Sequence, residues 1–147
     1  MSVRIERVTD AATLASGRHL FDEALDDDAA RRFLASPTHH LLFAYLDDGP
    51  DDTGHPVGMI SGVETTHPDH GTEMFLYELG VDEHSRRRGV ATALIEALAE
   101  RARARGCYGM WVGTEPDNEA ALATYRATRP DREEPFISFT WTFGDRP

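Results

Sequence analysis

Residues 73–105 constrain the fold more than any other stretch. EMFLYELGV (73–81) is an apolar run of strand length, hydrophobic on both faces, which suits a central strand. A few residues later a helical pattern covers 87–105, with Ala91, Leu94, Ile95, Leu98 and Ala102 on one face. Gly106 stops it, and CYGMWVGT (107–114) comes next as another strand. Strand, helix, strand in that order requires a parallel pair joined by a right-handed crossover.

The other elements fall around this unit. VRIERV (3–8) alternates as a strand, and Thr9 or Asp10 can cap a helix directly after it. Residues 10–34 read as helix in two pieces, broken near Asp26–Asp28. HHLLFAYL (39–46) and VGMISGVETT (57–66) make a hairpin around an acidic, turn-rich linker at 47–56. Asn118 caps a helix that runs to about Thr128, Pro130–Pro135 breaks it, and FISFTWTF (136–143) alternates as a last strand. The order predicts one α/β (α+β) domain over 1–147: a mixed, mostly antiparallel central sheet flanked by helices.

Composition narrows the function. All 15 basic residues are Arg, so Schiff-base chemistry on Lys is excluded. A net charge of −11 disfavours nucleic acid and suits a cationic partner or substrate. One Cys, Cys107, leaves no intrachain disulfide and no Cys-built metal site. No apolar run is long enough for a membrane span, and MSVRIERVTDAATLA has no signal-peptide core. A cytoplasmic location is expected.

Gly89 opens the long helix directly after Arg86, Arg87 and Arg88. A helix start offers unpaired N–H groups and a positive dipole end, where anions sit readily. Glycine lets an anion approach closely, Ala91 is the next smallest choice, and Thr92 adds a hydroxyl in the first turn. The alternative is a solvated turn before a surface helix. The glycine-lysine pattern of nucleotide loops is absent.

Arg86-x-x-Gly89-x-Ala91 resembles the Arg/Gln-x-x-Gly-x-Gly/Ala coenzyme A loop of the GNAT N-acetyltransferase superfamily. The setting strengthens the likeness: an LGV strand ending (79–81) precedes it, and Asn118, Ala121 and Tyr125 come after it as in the family's Asn-x-x-Ala-x-x-x-Tyr. YELGVDEHSRRRGVATALIEALAERARARG and the early LFDEALDD (20–27) resemble, more narrowly, the type I aminoglycoside 3-N-acetyltransferases. The family's Leu-Gly-Phe after the tyrosine is missing; the text here is RATRPDREEP.

The resemblance implies acetyl transfer from acetyl-coenzyme A to a primary amine by direct attack in a ternary complex. It implies a splayed parallel strand pair as the coenzyme cleft. Arg86, Arg87, Arg88, Gly89, Val90, Ala91 and Thr92 would then hold the pyrophosphate. Leu79, Gly80 and Val81 would hold the acetyl group and pantetheine arm, with Asn118 also on the coenzyme. Glu78 or Glu115 would accept the amine's proton, and Tyr125 would protonate the leaving thiolate. Each has a plainer reading: packing for Gly80, a salt bridge for Glu78, a loop carboxylate for Glu115, core for Tyr125.

The expected acceptor is a small cationic amine, an aminoglycoside first. A peptide-amine acetyltransferase and a non-catalytic acetyl-coenzyme A module are the alternatives. Many relatives are dimers, so a homodimer is expected by analogy. No metal is expected: His67 and His70 flank a loop Pro68, His39 and His40 read as edge residues, and Cys107 reads as a buried thiol. Asp26–Asp28 could line an acceptor site, whereas Asp47–Asp52 reads as solvated surface.

Overall fold

The computed structural model describes residues 2–47, 49 and 53–147. The chain forms two compact units, Met1–Gly113 and Thr114–Pro147.

The first unit is a five-stranded sheet in the order β1-β2-β3-β4-β5. β1 (Ser2–Arg7), β2 (His39–Asp47), β3 (Gly58–His67) and β4 (Gly71–Val81) pair antiparallel in succession. β5 (Met110–Trp111) is short and runs parallel to β4. The predicted strand at 107–114 thus shrinks to two paired residues, because little of it finds a ladder on β4.

Helices cover both faces of this sheet. On one face lie α1 (Ala11–Ser16), a 3-10 turn at Arg18–Leu20 and α2 (Asp27–Ala35). Leu20, Phe21, Leu25, Phe33 and Leu34 pack there against Leu41, Phe43, Tyr45 and Met59. The predicted helical stretch 10–34 is therefore three short pieces, with 21–26 as irregular backbone. On the other face lies α3 (Val90–Ala104), seated through Val90, Leu94, Ile95, Leu98 and Ala102. The face predicted from periodicity is the buried one, but the helix starts after Gly89 rather than at Arg87.

The strand buried on both faces is β2, where Leu41–Leu46 are all covered; β4 alternates. β4 still lies inside the sheet, but its short neighbour β5 leaves its far half without a second partner. α3 comes close to the sheet because β3 offers glycines beneath it. A Cβ on Gly58 would stand 2.8 Å from Val90 Cγ1, and one on Gly62 would stand 2.9 Å from Met74 Sδ and 3.1 Å from Leu98. Gly62→Val is expected to cost about 2 kcal/mol through overpacking. Thermal unfolding should show a Tm lower by roughly 5–10 °C.

In the second unit, Asn118 caps α4 (Glu119–Ala127) by accepting from the Ala121 N–H at 3.1 Å, as its sequence position predicts. Arg129 adopts a left-handed φ of 57° just past the helix end, the conformation a glycine would normally supply, and Pro130 comes next. The predicted strand 136–143 is not paired in any sheet; alternation fits a residue run for a strand but cannot provide the neighbouring edge. Within the acidic linker at 47–56, Asp48, Pro50, Asp51 and Asp52 lie outside the described residues.

Candidate active site

β4 and β5 run together only where Met74 and Phe75 meet Met110 and Trp111. Beyond that point β4 continues to Val81 without β5 beside it, which opens the parallel pair. A bulge accentuates the bend: Ser61 pairs with Glu78 and Gly62 with Leu76, leaving Tyr77 extra. The bulge thus lies at Tyr77 and not at Gly80. Leu79, Gly80 and Val81 pair with β3 on one side through Ile60, Met59 and Gly58. Gly80 does meet a close backbone, but that of the chain itself: a Cβ there would stand 3.2 Å from the Leu20 carbonyl oxygen.

The turn between β4 and α3 ends in a distinctive helix start. Gly89 is the N-cap, in the left-handed region at φ 79° and ψ 8°. Nothing lies within 4 Å of where its Cβ would be. Arg87 is also left-handed, at φ 64°. α1, α2 and α4 are each capped by a side chain, from Asp10, Asp26 and Asn118. α3 has no side-chain cap and no acidic residue in its first turn. The first intrahelical bond is from the Ala93 N–H to the Gly89 carbonyl at 3.0 Å, so the N–H groups of Val90, Ala91 and Thr92 precede the ladder. Arg86, Arg87 and Arg88 stand exposed before it, and Arg86 Nε donates to the Val81 carbonyl at 3.4 Å. An uncapped helix start flanked by cations and open space has the chemistry of an anion site.

Glu78 occupies the register position opposite the buried Ser61. It stays accessible to solvent and makes no salt bridge among the described residues. Crowding by surrounding protein, then the charge of Asp22, pushes its carboxyl above the usual range. Asp22 lines an open hollow of about 490 Å³ together with Arg18, Phe21, Glu23, Leu25 and Asp27. Sequence reasoning flagged only Asp26–Asp28 here. Asp26 is used as the α2 cap, accepting from the Ala29 N–H at 2.8 Å, while Asp27 lines the hollow. The missed residues Asp22 and Glu23 sit in irregular backbone and Arg18 opens the 3-10 turn, neither of which carries a helical periodicity to find them by.

In the second unit, Tyr125 is half-buried in α4, and burial pushes its phenol up, keeping it protonated. Glu115 is exposed in the segment before α4, beyond rather than at the end of β5. Asn118 spends its side-chain oxygen on the helix cap.

Other candidates resolve as structure. His40 is no edge residue: it is buried, and its Nε2 lies 2.7 Å from Glu64 Oε2. Arg105 Nε donates to the same oxygen at 2.8 Å, which ties the end of α3 to the sheet. Cys107 is half-buried rather than fully buried and lies before β5; burial pushes its thiol up, away from the reactive thiolate. His67 and His70 stack with ring centroids 4.1 Å apart, and His67 pairs with Glu73. Among the described residues no group of three or more His, Cys, Asp or Glu could hold a metal ion. No described helix is long and apolar enough to cross a membrane.

The chain belongs to the acetyltransferase (GNAT) family, whose pattern it matches over residues 7–128. Among curated proteins it is similar to the L-2,4-diaminobutyric acid acetyltransferase of Streptomyces coelicolor, 36% identical over 104 residues, covering 66% of this chain and 59% of that protein. The chain spans about half the length of the curated relatives it matches. Its fold is similar to an aminoglycoside acetyltransferase from an uncultured soil metagenomic sample, with a TM-score of 0.85, 22% identity and 97% of each chain covered. It is also similar to AAC(6′)-Iy in complex with a coenzyme A–acetylneamine bisubstrate analogue, at TM-score 0.78 and 20% identity, covering 97% of this chain and 99% of that one.

Proposed function

We propose that the chain, working as one N-acetyltransferase domain, moves the acetyl group of acetyl-coenzyme A to a primary amine of a small cationic acceptor. The observation that carries this reading is the α3 start: the helix that lacks a side-chain cap is the one entered through Arg86–Arg88 and a left-handed Gly89. The N–H groups of Val90, Ala91 and Thr92 would take the pyrophosphate oxygens there. The free edge of Leu79–Val81 would hold the thioester carbonyl and pantetheine amides. No covalent intermediate is needed, so the protein contributes positioning and proton handling.

Glu78 is the preferred base. Its raised pKa suits a carboxylate that must pick up a proton from an ammonium near neutral pH. Glu115 is the weaker candidate, being an exposed loop carboxylate. Tyr125 is the acid for the leaving thiolate, with Asn118 ordering the start of its helix. The hollow bearing Asp22, Glu23 and Asp27 is the acceptor subsite; its carboxylates would attract ammonium groups.

An aminoglycoside is the first acceptor on this reading. A second reading has its own support: Arg18 lines the same hollow and could receive a carboxylate, so a diamino acid such as 2,4-diaminobutyrate also fits. Thiol release from acetyl-coenzyme A with aminoglycosides, polyamines, diamino acids and short peptides separates the acceptors. The product's NMR spectrum identifies the acetylated nitrogen. Tyr125→Phe should lower kcat roughly 100-fold with unchanged acetyl-coenzyme A affinity. Binding without turnover on any acceptor would reduce the chain to a coenzyme-binding module.

A further inference from the structure

Ser61 is 5% exposed, and its hydroxyl oxygen has no hydrogen-bond partner among the described residues. A buried hydroxyl left unpaired is costly, and an alanine would fill the same place without that cost. The register shows which group can complete it. Gly58 and Gly62 face α3, so alternation turns Ser61 to the other face of β3, with Met59. On that face its neighbours along the strand are Met59 and Val63. Across the ladders they are Leu41 on β2 and Glu78 on β4. Three of the four are apolar; the fourth is the carboxylate assigned as the base. Residues directly opposed in a ladder bring their Cβ atoms to about 4.5–5.5 Å, and a glutamate carboxyl reaches two carbons further.

We infer that, in the complex with acetyl-coenzyme A and the acceptor, Ser61 Oγ–H donates to the Glu78 carboxylate and aims its other oxygen at the acceptor amine. The inference rests on Glu78 being the base. Ser61 is then a positioning residue, since it touches Glu78 and not the substrate. A hydroxyl suits both states of its partner. It donates to the ionised carboxylate, and it turns to accept from the acid that forms when Glu78 takes the ammonium proton. Ser61 keeps its own proton throughout.

The other charged groups on this side do not take that place. Arg18, Asp22, Glu23 and Asp27 surround the hollow in the segment packed over this face. Burial and the Asp22 charge displace the Glu78 carboxyl, with no share from Arg18. An ionised Asp or Glu cannot donate to it. His19 is turned to the Pro56 carbonyl and Asp82, and His39 on β2 to Ser36.

The pH dependence of kcat and of kcat/KM tests this, measured as thiol release from acetyl-coenzyme A with the acceptor of the panel that turns over fastest. The kcat profile reports groups in the complex, and the kcat/KM profile those of the free protein. Donation to a carboxylate favours its charged form, so Ser61→Ala should move the acid limb of kcat about one unit to higher pH, a roughly tenfold loss below the limb. The limb of kcat/KM should stay in place, because the bond is not formed in the free protein. Ser61→Ala should also unfold at the wild-type temperature or above, whereas a merely structural serine would lose stability. In a Glu78→Gln background the same substitution should change kcat by about twofold at most. An unmoved kcat limb in Ser61→Ala, beside a Glu78→Gln protein that has lost its limb, overturns the inference and keeps Glu78 as the base. So do equal losses from Ser61→Ala in both backgrounds. A limb retained in Glu78→Gln removes the base itself, and absence of turnover with every acceptor removes the reaction; either takes the role of Ser61 with it.

Discussion

Gly89→Val is expected to raise the Kd for acetyl-coenzyme A at least 100-fold, read by calorimetric titration. Gly89 sits at φ 79°, a region that a β-branched residue adopts only under strain. A valine would pull the cap toward negative φ and turn the first-turn N–H groups away from the pyrophosphate proposed to sit there. Losing one or two hydrogen bonds to a charged group, at ~1.5–3 kcal/mol each, corresponds to about that change in Kd. Stability should suffer much less. No atom lies within 4 Å of the added Cβ, so the left-handed penalty of about 1–2 kcal/mol is the main cost. Gly89→Ala should fall between the two proteins on both scales. An unchanged Kd in a folded Gly89→Val protein would remove the pyrophosphate from this helix start.

The second large effect is on the pH profile. Glu78→Gln is expected to lower kcat/KM roughly 100-fold at neutral pH. In the wild-type protein activity should fall as pH drops through the raised pKa of Glu78, higher than for an ordinary carboxylate. The variant should lose that limb. Asp22→Asn should move it to lower pH while keeping it, because the Asp22 charge is the second cause of the shift. The sign for stability is opposite to that for activity. A carboxyl whose folded pKa is raised costs stability once ionised, so Glu78→Gln should unfold at the same temperature as wild type or higher at pH 7. A destabilised variant with a retained pH limb would mark Glu78 as structural.

Much of this protein is determined by its sequence alone. The helix at 90–104 and its buried face come from 3.6-residue periodicity. Asn118 is readable as a cap because it precedes a helical run and can accept from N–H groups three residues on. Gly89 at the mouth of a helix is legible because a left-handed cap calls for glycine locally.

Tertiary structure decided what depends on distant partners. The bulge at Tyr77 exists only against β3, and Gly80 is confined by the Leu20 carbonyl, across a turn no local pattern predicts. His40 reads as an edge residue until Glu64 and Arg105 close over it. Asp22 gains its influence on Glu78 from irregular backbone folded over the sheet. Residues 136–143 show the same division: their alternation is a local property, but a strand is a pairing, and these residues pair in no sheet.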